Sequence, residues 1–170
     1  MINFGCCFSG DNTMQEIRLN TWVSAAEIVS AIAVVISLLY VGFQVNQNTA
    51  AVQTTTYKEI TATYGELQLA IIENEQFAEI LVKAEEQASL TPTETYRLET
   101  WIWFHMGNWE QAYLANEQEI LHNDVWLGWD RYYKWWMSKP FFLTVYKNNP
   151  VQGFTDRFTN HVDLYVKSLE

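Results

Sequence analysis

Any chemistry this chain performs would have to come from its histidines and carboxylates. The sequence holds three His. The run Glu119-Ile120-Leu121-His122 sets a carboxylate and an imidazole at i, i+3, which a helix would place on one face. That is half of a di-metal bundle site, which needs two such motifs and two further Glu. No second Glu-x-x-His exists, although Glu66, Glu73, Glu99, Glu110 and Glu117 offer carboxylates. The competing reading puts Glu119 and His122 at a solvated helix end, where the helix dipole favours a His near a C-terminus. Glu119 and His122 remain the metal-ligand candidates, and no cofactor is expected.

His105 falls on an apolar stripe and reads as a hydrogen-bonded core histidine before a catalytic base. Glu110 follows Trp109 in a strongly aromatic segment and reads as half-buried, ion-paired with Arg97 or Arg131. Cys6 and Cys7 are adjacent, so they can build neither a disulfide framework nor a Cys-based zinc site. No lipobox precedes them, and the pair reads as part of an incidental tail. No Ser/His/Asp arrangement, P-loop or GxGxxG occurs. An enzyme is not expected.

The 170 residues are 49% hydrophobic, with 8 Trp, 9 Tyr and 9 Phe, enough to bury a sizeable core and to exclude wholesale disorder. The formal net charge of -10 repels phosphate, so nucleic acid is excluded as a partner.

The most informative stretch is Ile28–Phe43, IVSAIAVVISLLYVGF, which carries no charge. As a helix, Trp22–Phe43 would span ~33 Å at ~1.5 Å per residue, close to a hydrocarbon core of about 30 Å. Ten residues of Ile28–Phe43 are Ile, Leu, Val or Phe. They favour insertion by about 3–6 kcal/mol, against a Glu27 that sits near the headgroups and costs well below the roughly 3 kcal/mol of a mid-membrane charge. Insertion wins. Trp22 and Tyr40 lie near the two ends as interface anchors. A buried core helix is the alternative, because an uncharged run of 16 residues is slightly short for a span. A cleaved signal peptide fits less well, because Asp11 and Glu16 outnumber Arg18 ahead of the run.

One stripe of this helix is small or polar: Ala26, Ser30, Ala33, Ser37, Tyr40, Gln44 and Gln47, at alternating spacings of four and three. Small residues let helix backbones approach closely in lipid, and Ser or Gln can hydrogen-bond across the contact. The stripe reads as a packing seam for another transmembrane helix, from a copy of the chain or from a larger membrane complex. Membrane lipid is the other expected partner. Flanking charge does not set the orientation, with Arg18 alone before the span and Lys58 the first cation after it.

Positioning falls to helices throughout. Tyr57, Ile60, Tyr64, Leu67 and Ile71 recur at three-and-four spacing, and the membrane helix either runs on into them or breaks near Asn46–Asn48. A helix after Asn74 presents Phe77, Ile80, Leu81 and Ala84. Thr91, Pro92 and Glu94 spell a capped helix start. That helix carries Leu98, Ile102, His105, Trp109 and Ala112 on one stripe, ends near 120–123 and forms the centre of the domain. Further helices are predicted from Asn123 or Asp124 to Pro140, in a short piece over Phe141–Tyr146, and over about Val151–Leu169 with Phe154, Phe158, Val162 and Tyr165 inward. The predicted class is all-α: a single N-terminal transmembrane helix followed by a small helical bundle. Residues 1–20 read as an N-terminal tail, 21–47 as the transmembrane helix and 48–170 as the helical domain, with Met14 an alternative start. Trp126, Trp129, Tyr132, Tyr133, Trp135 and Trp136 are too many rings in eleven residues for a small core. They divide between core and a surface meeting a protein partner or the bilayer.

Trp22 before the span, Ser37–Tyr57 (SLLYVGFQVNQNTAAVQTTTY), Asn108–Tyr113 (NWEQAY), Trp126–Trp129 (WLGW) and the Trp135–Trp136 pair together resemble a broad family of uncharacterised bacterial proteins. These have one N-terminal membrane helix and a helical C-terminal domain, and the likeness covers roughly residues 14–165. The resemblance implies an inner-membrane protein. Relatives often carry Arg just after the span, which implies a cytoplasmic C-terminal domain; here Gln44-Val45-Asn46-Gln47 stands in that place. It implies no catalytic residues.

The expected function is that of a non-enzymatic single-pass membrane protein acting in assembly, as an accessory subunit of a larger membrane complex or as a homo-oligomer. Two other classes compete: a membrane-tethered metal-dependent enzyme using Glu119 and His122, and a ligand-binding or sensor bundle with an aromatic pocket.

Overall fold

The structure is a computed structural model that describes residues 11–148 and 153–170. Among these residues it consists of six α-helices and no strand: α1 (Asp11–Ile72), α2 (Glu75–Glu85), α3 (Pro92–Glu117), α4 (Asn123–Met137), α5 (Pro140–Asn148) and α6 (Asp156–Lys167). The chain is all-α, with one long apolar N-terminal helix and then a helical region. It divides into two compact units, Met1–Asn48 and Thr49–Glu170.

In the first unit α1 already begins at Asp11, inside the stretch read as a tail. It passes Asn46–Asn48 without the break the sequence allowed. Ser37 Oγ donates to the Ala33 carbonyl at 2.8 Å, which satisfies the hydroxyl within its own helix and lets a polar side chain sit in an apolar run.

In the second unit every helix buries one face. The last part of α1 contributes Ile60 and Leu67. Asn74 caps α2, its Oδ1 accepting from Phe77 N at 3.0 Å, and α2 buries Phe77, Ile80, Leu81 and Ala84. Thr91 starts α3 with a complete capping box: Glu94 N donates to Thr91 Oγ1, and Thr91 N donates to Glu94 Oε2 at 2.7 Å. Glu94 also pairs with Lys83 at 2.6 Å. The Lys83 contact, with the Thr91 bonds, holds its carboxyl down at about 2. α3 is the central helix, burying Leu98, Trp101, Ile102, His105, Met106, Asn108, Trp109, Ala112 and Ala115.

Two helices end without the glycine that usually follows. Gln87 (φ 55) and Glu119 (φ 56) take the left-handed conformation just past α2 and α3. Ala88 N then reaches the Lys83 carbonyl, and Ile120 N the Ala115 carbonyl, closing both ends in Schellman fashion. α4 buries Trp126, Asp130, Tyr133 and Met137; α5 buries Phe142 and Tyr146; α6 buries Phe158, Val162 and Val166. The last helix starts at Asp156, later than predicted, and the predicted start at Val151 lies outside the described residues. Glu110 explains the late start: its Oε1 accepts from Thr155 N at 2.6 Å and fixes the residue that precedes the helix.

Candidate functional site

The first candidate is the apolar segment of α1. It is long and apolar enough to cross a membrane, and none of its apolar window is buried inside the chain. Trp22 is 75% exposed, and Ile28, Ile32, Val35, Leu39 and Phe43 are exposed alike. Apolar side chains lie on every face of this stretch, and among the described residues none of them is covered. All seven seam positions, Ala26, Ser30, Ala33, Ser37, Tyr40, Gln44 and Gln47, are exposed. Gln44 Nε2 donates to Tyr40 Oη at 3.1 Å, which joins two successive seam residues. A Cβ built on Gly42 would meet nothing, so the helix has open space there.

The aromatic surface is smaller than the sequence predicts. Trp126 and Tyr133 are core residues, because α4 turns the 126, 130, 133, 137 face toward the bundle. Trp129, Tyr132 and Trp136 flank that face and pack partly against the core. The Tyr64 ring lies 5.3 Å from both Trp129 and Tyr132. Trp101 lies 5.1 Å from Trp136. Trp135 alone of the six is exposed, at 51%, with Lys139 Nζ 4.6 Å above its ring. Five of the six rings are thus held wholly or partly by their own domain, which answers the packing objection: they meet α1 as well as α3.

The metal candidates separate. α3 stops at Glu117, Glu119 sits in the left-handed turn and His122 is the residue before α4. The two are therefore not on one helix face, and both are exposed. The cause is the Schellman closure, which reverses the chain before a further turn can form. No group of three or more His, Cys, Asp or Glu gathers among the described residues. Cys6 and Cys7 lie outside those residues. Glu110 forms no pair with Arg97 or Arg131. Arg131 Nε donates to the Leu127 carbonyl and Arg97 lies over the Phe77 ring.

The polar centre of the domain is one the sequence reading passed over. Asp130, buried on α4, accepts from Trp109 Nε1 at 3.3 Å, from His161 Nε2 at 2.8 Å and from Lys134 Nζ at 2.6 Å. Burial pushes its carboxyl up, but the bonds from His161 and Lys134 outweigh that and hold it below the ordinary range. His161 stands among the rings of Trp109, Tyr113 and Trp126, at 5.2–5.8 Å. One carboxylate thereby ties α3, α4 and α6 together. A signal existed: Asp130 breaks an apolar stripe of α4, and His161 adjoins the inward Val162.

His105 is a core histidine, as its stripe predicts, but it is only half satisfied. Nδ1 lies 3.3 Å from the Trp101 carbonyl, which can only accept, so Nδ1 carries the proton. Nε2 is buried with no hydrogen-bond partner among the described residues. Burial among Trp101, Tyr133, Trp136 and Phe142 pushes the imidazole down to about 4, so it stays neutral. Asn108 Nδ2, one turn on, donates to the Ile60 carbonyl at 3.2 Å and to Tyr133 Oη at 2.7 Å, linking α1, α3 and α4. No family model, curated protein or solved structure matches the chain.

Proposed function

We propose that the chain is a non-enzymatic, single-pass protein of the bacterial inner membrane. Its α1 segment joins other transmembrane helices, either a copy of itself or those of a larger complex, and its helical domain, on the cytoplasmic side, serves that assembly. The observation that carries this reading is the wholly exposed apolar run of α1, with small and polar residues recurring along one stripe. Lipid alone would satisfy the apolar faces. The Ala26–Gln47 stripe adds a face on which a second backbone can approach closely. The competing metal-enzyme reading loses its motif, since Glu119 and His122 do not share a helix face.

The test is the mass of the species extracted gently from the native membrane, with co-purifying chains identified. The wild-type chain is expected in an assembly larger than one copy. Ser30→Leu with Ser37→Leu should reduce it to the single chain. An assembly of unchanged size would overturn the seam.

A further inference from the structure

Within Thr49–Glu170, a groove runs between the last turns of α1 and one face of α3, with a volume of about 560 Å³. Trp101 forms part of its lining, buried, with Nε1 donating to the Leu67 carbonyl at 3.3 Å. The large apolar side chains exposed in its lining are Leu69 at 47%, Tyr96 at 72% and Phe104 at 62%. Tyr96 and Phe104 also border an adjoining depression that includes Glu99. Two exposed rings beside an open apolar trough mark an interaction surface rather than scattered surface hydrophobics.

Charge selects the occupant. Residues 49–170 carry 17 Asp and Glu against nine Lys and Arg. Glu73 lines the groove and Glu99 the depression beside it, and neither is in an ion pair among the described residues. Arg97, the one cation in the lining, is drawn over the Phe77 ring at 5.6 Å. An anionic bilayer surface would be repelled by such a face. A second copy would bring the same acidic surplus against it. A helix with an apolar stripe and basic flanks meets both requirements, because helix-in-groove docking uses anchors at three-and-four spacing.

We propose that this groove docks an amphipathic helix of a partner protein, its apolar residues against Trp101 and Phe104 and its Lys or Arg flanks toward Glu73 and Glu99. This contact lies in the helical domain and is separate from the Ala26–Gln47 seam, so either can fail without the other.

The experiment places the full chain in nanodiscs of zwitterionic lipid. The probe is a fluorescent peptide of about 18 residues, long enough for a stable helix, with Leu on one face and Lys on the flanks. Its Glu-flanked twin is the control. The Lys peptide should bind the protein-bearing discs at least about tenfold more tightly than it binds empty discs or than the Glu twin binds. Phe104→Asp, at an exposed position that spares the core, should remove about tenfold of that affinity. Glu73→Lys with Glu99→Lys should reverse the preference between the peptides. Equal binding to empty discs would make the bilayer the occupant and overturn the proposal. Unchanged affinity in Phe104→Asp, or a preference that survives charge reversal, would overturn it too. A fall in the mass of the extracted assembly by whole copies of this chain in Phe104→Asp, with no other chain lost, would point instead to a second copy and reject it.

Discussion

The apolar segment of α1 carries no charge while the central helix α3 carries four Glu and one Arg, and the two also handle polar groups differently. Each is apolar around most of its circumference. On α1, Ser37 turns its hydroxyl back to the Ala33 carbonyl and Gln44 turns to Tyr40, both within the same helix. On α3, Thr100 and His105 bond within the helix to the Tyr96 and Trp101 carbonyls, but Trp101 donates to Leu67 O, Asn108 to Ile60 O and Tyr133 Oη, and Trp109 to Asp130, all on other elements. A helix whose surroundings are lipid must satisfy its polar atoms locally, since hydrocarbon offers no partners. A helix inside a protein core can use its neighbours, and those bonds then select one arrangement of helices.

The largest effect should come from removing the tertiary partner that α3 depends on. Asp130→Ala would strand Lys134, His161 and the Trp109 N–H in a largely buried site, and should lower domain stability by about 3–4 kcal/mol in urea unfolding. A loss below about 1 kcal/mol would show that these bonds follow the fold rather than hold it.

A second measurement sharpens the same side. The His105 imidazole titrates at about 4 when folded, against an ordinary value of 6.5. The unfolded chain therefore binds the proton first. The stability that the neutral ring supports is complete above pH 6.5 and is lost as pH falls from 6.5 toward 4. The whole loss is about 3 kcal/mol. His105→Phe should flatten the stability curve in that window relative to wild type, whatever the other groups contribute. Parallel curves for the two proteins would mean that the ring is hydrated.

The smallest effect belongs to the apolar segment of α1. Ser37 bonds its own helix, so Ser37→Ala should change the association of the extracted assembly by less than about 0.5 kcal/mol, while the two-leucine variant disrupts it. Dissociation by Ser37→Ala would show that the hydroxyl bonds across the seam, and would erase the contrast between the two helices.

Local signals were legible wherever one segment suffices to decide. The helix start after Asn74, the box at Thr91 and Glu94, and the inward stripe of α3 from Leu98 to Ala112 are all present as read. Misreadings arose where a distant contact decides. Glu119-x-x-His122 looks helical because every residue in it tolerates a helix, but α3 closes one step earlier. Glu110 looks like an ion-pair partner because its sequence neighbours are aromatic. A backbone N–H 45 residues away claims it. The six rings of α4 looked too many for a small core, but Tyr64 of α1 packs against two of them, Trp129 and Tyr132.

By itself the sequence determined the all-α class, the uncharged apolar run, the acidic balance and most helix starts. Each of these depends on periodicity, composition or capping within about a dozen residues. Only the tertiary structure decided that Asp130 and His161 form the polar centre, that Glu119 and His122 part, and that a groove stays open beside Trp101. Those outcomes depend on which helices meet, and a pairing between residues far apart in the chain leaves no periodic trace in either segment.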